Sequence, residues 1–355
     1  MAIDVPLDVH NLIIEWVFRS SQGTAVDWVN RSPERRAVDL ATLCACALVC
    51  RAWTPTAQRL IFRRVICFSL DDHQCNIQLL VRTLCTRPHL AAHVRYIHIT
   101  WPSRPDYGSV CLDLLEICRH VEGISFQGGV DDNQVMSAEL EARMRAIQLK
   151  PVVLDMFGLS PTHCRTIVNM WPGARMLKFN AYYNHPLPPT VEALEIYGEG
   201  ALNCLSHSHP LPALRYLCLI TPWWQGTLAK HLISTGILPQ LQSLRIKDDF
   251  PPPEVLKQLT QLRTLIVSPP TKPITLPPSL RHVGYHLWVA LMPRVRAKLV
   301  VDPLRMLPEL KLVTVEGLPR QHVRALEGMC REKCVDFVTY AEPVCFEQPR
   351  HTDWI

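Results

Sequence analysis

Two groupings of soft and nitrogen donors are the first candidates for chemistry. Cys204-x-x-His207-x-His209 places a thiol and two imidazoles close together, and Cys85, His89 and His93 recur at four-residue spacing. Such donors could hold zinc. The first grouping lies in a loop-like stretch, the second is interrupted by Pro88, and neither has a paired C-x-x-C knuckle. No metal and no cofactor is therefore expected. The phosphate cradles, the zincin helix and the hydrolase elbow are absent from the sequence. A thiol nucleophile would need an activating, partly exposed setting. Cys44, Cys46 and Cys50 instead fall in the most apolar helical stretch of the chain, where they read as structural. The chain is not expected to be an enzyme.

Composition narrows the classes further. The 355 residues are 48% apolar and 19% charged, enough for a sizeable core. The net charge is +5, but residues 1–65 hold eight Lys/Arg against six Asp/Glu and the rest 29 against 26, so no part is strongly basic. Neither nucleic acid nor a membrane surface is an expected partner. The longest apolar run, Leu43 to Cys50, is far shorter than the roughly 18 residues a spanning helix needs. The start, Met1-Ala-Ile-Asp4, lacks a basic segment followed by an apolar run, so the expected location is cytoplasmic, nuclear or both. The fourteen cysteines are scattered, several in hydrophobic stretches, and read as reduced thiols.

The first 65 residues read as three short helices. From Asp8 to Arg19, Asp8, Asn11, Glu15 and Arg19 form one narrow stripe, and Val9, Leu12, Ile13, Trp16 and their neighbours cover roughly 240° of the wheel, broken only by His10, against little more than 100° in a surface helix. A second helix is predicted from an Asp39 cap through Cys50, after an extended loop over 20–36. Thr54 and Pro55 are the predicted cap and first turn of a third helix carrying Leu60 and Ile61. Three helices this short cannot bury so much apolar surface among themselves. Either they pack on the rest of the chain or the surplus docks on another protein.

Val5-Pro6-Leu7-Asp8 with Ile13-Ile14, then Ala47-Leu48-Val49-Cys50-Arg51-Ala52-Trp53, then Leu60-Ile61-Phe62-Arg63-Arg64-Val65 resembles the F-box motif, particularly its fungal form. Val5 in place of the usual Leu and the long first loop are departures from the pattern. The resemblance implies binding to a Skp-type adaptor and, through it, to a cullin. It also implies that Pro6, Leu7, Val9, Leu12, Ile13, Trp16, Leu43, Val49, Trp53 and Leu60 form the adaptor-binding surface.

Beyond residue 66 an apolar-x-x-apolar-x-apolar pattern recurs. Its first positions are 94, 121, 151, 174, 191, 214, 241, 262, 280, 310 and 334, with a mean spacing of 24 residues. That period lies within the roughly 20 to 29 residues of leucine-rich repeats. Leu187-Pro188, Leu211-Pro212, Leu238-Pro239, Leu276-Pro277 and Leu307-Pro308 each precede a copy, as does Trp171-Pro172. Proline cannot continue a helix and has no N–H for a ladder, so these pairs mark the turn into each strand. Much of the unusual proline content, 30 residues, goes there. Helical stretches between copies, such as 109–120, 134–147 and 322–333, suit the outer side of a solenoid. A compact α/β domain with an ordinary parallel sheet is the alternative.

In each copy the pleat sends the fourth and sixth positions into the core and the third, fifth and seventh to the opposite face. Tyr96, His98, Lys178, Glu195, Tyr197, Tyr216, Arg245 and Lys247 then line an exposed target-binding surface, with Tyr197, Tyr216 and Arg245 at its centre because Tyr and Arg are enriched in hot spots. The predicted class is α/β: a three-helix F-box-like module over 1–65, an irregular leucine-rich-repeat solenoid over 66–340, and a tail over 341–355. Such a chain is expected to be the substrate receptor of a Skp-cullin-F-box ubiquitin ligase, holding an unknown protein substrate on its repeats. The alternative is a leucine-rich-repeat scaffold or inhibitor with no ubiquitin role.

Overall fold

The computed structural model describes residues 33–67, 74–100, 105–128, 138–179, 183, 185–198, 204–205, 211–220, 226–246, 250–286 and 296–340. They fall into two compact units, one running to Ser125 and including residues 138–149, the other comprising Phe126 onward and residues 150–340.

The described part of the first unit begins with helices α1 (Pro33–Val49) and α2 (Thr54–Phe62). Helix α1 starts at Pro33, six residues before the predicted Asp39 cap, so part of the predicted loop is helical. Proline suits a first turn because its missing N–H would have no partner there. Thr54 is the first residue of α2 and Trp53 its cap, one position from the prediction. The Thr54 hydroxyl instead donates to Ala47 O (2.8 Å) at the end of α1, which fixes the angle between the two helices. Leu43 and Leu60 form the shared core, with Trp53 and Ile61 packed against it.

Helix α2 runs directly into strand β1 (Arg64–Cys67), which pairs in parallel with β2 (Tyr96–Thr100). Between them lie α3 (Gln74–Thr86) and the short α4 (Pro88–Ala91). Helix α5 (Pro105–Ile117), strand β3 (Gly123–Gln127), which crosses into the second unit, and α6 (Ala138–Ala146) follow. Strand β1 is a copy the sequence reading passed over, though Phe62-x-x-Val65-x-Cys67 has the same spacing.

The second unit alternates strands with helices or turns. Strand β4 (Val153–Phe157) leads to α7 (Pro161–Met170), then β5 (Met176–Phe179), β6 (Ala193–Tyr197) and β7 (Tyr216–Ile220). Helix α8 (Gly226–Ser234), β8 (Ser243–Ile246), the single turn α9 (Pro253–Leu256), β9 (Thr264–Val267) and β10 (His282–His286) come next. Helix α10 (Ala297–Arg305), β11 (Leu312–Glu316), α11 (Arg320–Lys333) and β12 (Asp336–Tyr340) complete it.

From β4 to β12 every strand pairs in parallel with the next in the chain. A doubly wound sheet reverses its strand order at a switch point. No reversal occurs among these nine, which favours stacked repeats over the compact α/β alternative. Each of the eleven sequence copies begins its strand two residues after its first apolar position. The fourth positions Leu154, Leu177, Leu194, Leu217, Leu244 and Leu265 form an unbroken buried row, and the sixth positions Met156, Phe179, Ile196, Leu219, Ile246 and Val267 a second.

The Leu-Pro pairs act as predicted, with a specific geometry. Each Leu is buried, and the chain turns so that Val191 N donates to Pro188 O, Leu214 N to Leu211 O and Leu280 N to Pro277 O. Proline presets φ for the second position of such a turn. The turn delivers a constant edge: the second and third N–H groups of a copy both donate to the second carbonyl of the copy before. Gln242 N and Ser243 N, for example, reach Arg215 O at 2.8 and 3.1 Å. The last copy departs from this. Cys334 is left-handed (φ 56°) at the end of α11 and exposed, Val335 N donates to Cys330 O, and Val335 takes the buried place that the first position holds in the other copies.

Candidate binding surfaces

The fifth positions of the second unit form one row across the sheet, in the order Asp155, Lys178, Glu195, Cys218, Arg245, Ile266, Gly284, Thr314. Charge alternates along its start. Lys178 Nζ lies 3.0 Å from Glu195 Oε2 with both side chains almost fully buried, and the Tyr197 hydroxyl donates to the other Glu195 oxygen. The rings of Phe157 and Tyr197, from the strands on either side of β5, meet edge to face at 5.5 Å and shield that part of the row.

Burial alone would raise the Glu195 pKa, but the Lys178 ammonium, the Tyr197 hydroxyl and the Arg245 charge together hold it below the usual carboxylate value. Burial and the neighbouring Glu195 charge push the Tyr197 phenol well up, so it stays protonated and remains a donor.

The expectation that Lys178 and Glu195 project into solvent is therefore overturned. So is that for His98 in the first unit, which is buried with its Nδ1 sharing a 2.9 Å hydrogen bond with Ser125 Oγ. Parallel strands sit about 4.8 Å apart, so long side chains in adjacent copies lie against one another and cover each other. Tyr197, Tyr216 and Arg245 are half-buried, as is Tyr96, whose ring lies 5.5 Å under the Arg64 guanidinium. Lys247 lies outside the described residues. Asp155 was missed, although the same fifth-position rule applied to the Pro151 copy selects it.

Near the other end of the sheet His282 Nε2 and Thr314 Oγ1 share a 2.9 Å hydrogen bond, and His286 Nδ1 donates to Glu316 Oε2 at 2.7 Å in a buried pair. Burial pushes the His282 pKa down to about 4. Gly284 leaves room for these neighbours: a Cβ there would lie 2.8 Å from Thr314 Oγ1.

Among the adaptor-binding residues implied by the resemblance, Leu43 and Leu60 are core, Trp53 is half-buried and Val49 is exposed. Pro6, Leu7, Val9, Leu12, Ile13 and Trp16 lie outside the described residues. The second half of α1 is largely uncovered: Ala41, Cys44, Ala45 and Leu48 are exposed at i, i+3, i+4 and i+7, Val49 lies beside them, and Leu48 is 86% exposed. Cys44 and Cys50 are thus surface thiols rather than structural ones.

Elsewhere burial raises the thiols of Cys118 and Cys164 to about 12 and that of Cys330 to about 11, which keeps them protonated. Among the described residues no three His, Cys, Asp or Glu side chains converge as a metal site, and Cys85, His89 and His93 do not form one. His207 and His209 lie outside the described residues, and Cys204 is buried. No helix among the described residues is long and apolar enough to cross a membrane.

No family model matches the chain, and no curated protein matches it in sequence. Among solved structures, a crystal structure of a TLR13–ssRNA13 complex aligns with 63% of this chain and 39% of its own, at 10% identity and a TM-score of 0.34. The chain thus spans about two fifths of that structure's length, and a likeness at this level carries no argument about partners. The conclusion that stands is a mixed α/β chain of stacked, leucine-rich parallel-strand repeats, with an apolar stripe on α1 that the other described residues leave uncovered.

Proposed function

We propose that the chain is the substrate receptor of a Skp-cullin-F-box ubiquitin ligase. The observation that carries this reading is the uncovered stripe of α1: Ala41, Cys44, Ala45 and Leu48 form a helical face that packs on nothing in the described chain. A stripe at this spacing fits a groove or helix pair on a partner. It sits within the segment whose residues resemble the F-box, and that resemblance supplies the partner class, a Skp-type adaptor bound to a cullin. The repeats hold the protein target, with Tyr216 and Arg245 as accessible contacts.

On this reading the chain does no chemistry. Carrying the docking helix and the repeats on one chain raises the effective concentration of target lysines beside a conjugating enzyme held by the partner subunits. The test is co-expression with a Skp-type adaptor followed by size-exclusion chromatography of wild type and Leu48→Asp/Val49→Asp. A stoichiometric complex lost in the variant supports the receptor. Folded wild type that ignores the adaptor favours the repeat scaffold with no ubiquitin role.

A further inference from the structure

The second residue of each copy stands at the edge where the strands begin, next to the shared carbonyl described above. Early in the chain these second positions neutralise one another: Arg95 Nε lies 3.3 Å from Glu122 Oε1 in the first unit, and in the second Arg175 Nε and Nη2 reach the two oxygens of Glu192 at 2.7 and 2.6 Å. Further along, the acids stop. The second positions from β7 to β11 are Arg215, Gln242, Arg263, Arg281 and Lys311. Arg281 pairs with Glu309 at 3.0 Å, in a largely exposed pair. Arg215 Nη1 donates to the carbonyls of Pro212 and Leu214, which orients its charge without neutralising it. Arg263 and Lys311 are exposed and form no ion pair among the described residues.

An open groove of about 280 Å³ lies in this row, lined by Gln242, Gln261, Arg263, Ser279, Arg281 and Glu309. Four cations and one carboxylate stand over four strand spacings, a length of about 19 Å. We infer that this edge binds an extended acidic peptide, separately from the adaptor-docking helix and from the face carrying Glu195.

Charge complementarity names the ligand. Side chains on one face of an extended strand repeat about every 6.8 Å, so three or four acidic residues can meet the row together. The amides of Gln242 and Gln261 can both donate to and accept from a peptide backbone. A single-stranded nucleic acid is the other polyanion of this reach, but it gains much of its affinity by stacking on aromatic rings. The row from Arg215 to Lys311 offers none.

The test uses the full chain and a fluorescein-labelled peptide of alternating Glu and Ser. About eight residues, at ~3.3 Å each, are enough to span the row. Anisotropy would be read at about 50 mM and about 300 mM salt, since exposed charge pairs weaken with screening. Binding that falls at least about tenfold in Arg263→Glu/Arg281→Glu, but by less than about twofold in Arg331→Glu on α11, is the expected result. Should circular dichroism show the double variant misfolded, Arg263→Gln and Lys311→Gln singly are each expected to weaken binding by about threefold. No binding by wild type, equal loss in Arg331→Glu, unchanged affinity in folded groove variants, or tighter binding of oligo-dT of matching charge would each overturn the assignment.

Discussion

Lys178 and Glu195 are register partners on adjacent strands whose charged ends meet 3.0 Å apart inside the sheet's covering. A solvated pair at this spacing would contribute little, whereas a buried one is costly to break because the survivor keeps its desolvation penalty. Lys178→Met should therefore destabilise the repeats by about 3 to 5 kcal/mol in urea denaturation. Adding Glu195→Leu should recover most of that loss. A double variant as unstable as the single would mean that the pair itself carries the stability.

The same pair gives the fold an acid sensitivity. Glu195 has a lower pKa in the fold than its ordinary value of 4.5, so its contribution is present above that value and lost as pH falls through the folded one. Wild type should lose stability below about pH 4.5 more steeply than Lys178→Met/Glu195→Leu, measured as midpoints of urea denaturation across the acid range.

His282 acts in a higher window. Its folded pKa of about 4 lies below the unfolded 6.5, so the unfolded chain takes up the proton first as pH drops. The contribution is complete above pH 6.5 and drains away between 6.5 and about 4. His93 is also lowered, by partial burial and by Arg59, Arg95 and His89, so wild type carries more than one such slope. Melting temperatures of wild type and His282→Gln between about pH 7.5 and 5 isolate the one term, and the variant's dependence should be flatter.

On α1 two leucines five residues apart should behave oppositely. Leu43→Ala removes core packing against Leu60 and should cost about 2 kcal/mol or more. Leu48→Ala, on a side chain that touches solvent, should change stability by no more than about 0.5 kcal/mol. Thermal melts followed by circular dichroism would separate them, and a large loss at Leu48 would mean its face is covered within the chain.

Gly158 has φ +74° and a Cβ there would lie 2.8 Å from Gly128 O, while Gly236 has φ +68° and open space around it. Both pay for a left-handed alanine, about 1 to 2 kcal/mol. Gly158→Ala should cost clearly more than Gly236→Ala, because only the former also forces backbone apart. Equal losses in urea denaturation would show that the backbone yields there.

The sequence was legible wherever the six-residue apolar motif recurred, most clearly where a turn signal stood before it. Eleven strands follow from an apolar first, fourth and sixth position, reinforced in six copies by a Leu-Pro or Trp-Pro turn just before the strand. Strand β1 escaped because its copy overlaps residues already assigned to the helices, with Cys67 as its last apolar position. Cys334 holds the first position of the last copy by spacing, but the left-handed end of α11 turns it outward and puts Val335 in the buried place.

By itself, then, the sequence determined the repeat, its period and which rows face the core, because burial of alternate residues is a local property of a strand. Only the tertiary structure decided what the opposite face does. Whether Lys178, Glu195 and His98 meet water depends on what stands about 4.8 Å away in the neighbouring copy, some twenty residues distant in the chain. The same holds for α1: its apolar composition required a partner, and only its packing showed that Leu43 has one within the chain while Leu48 does not.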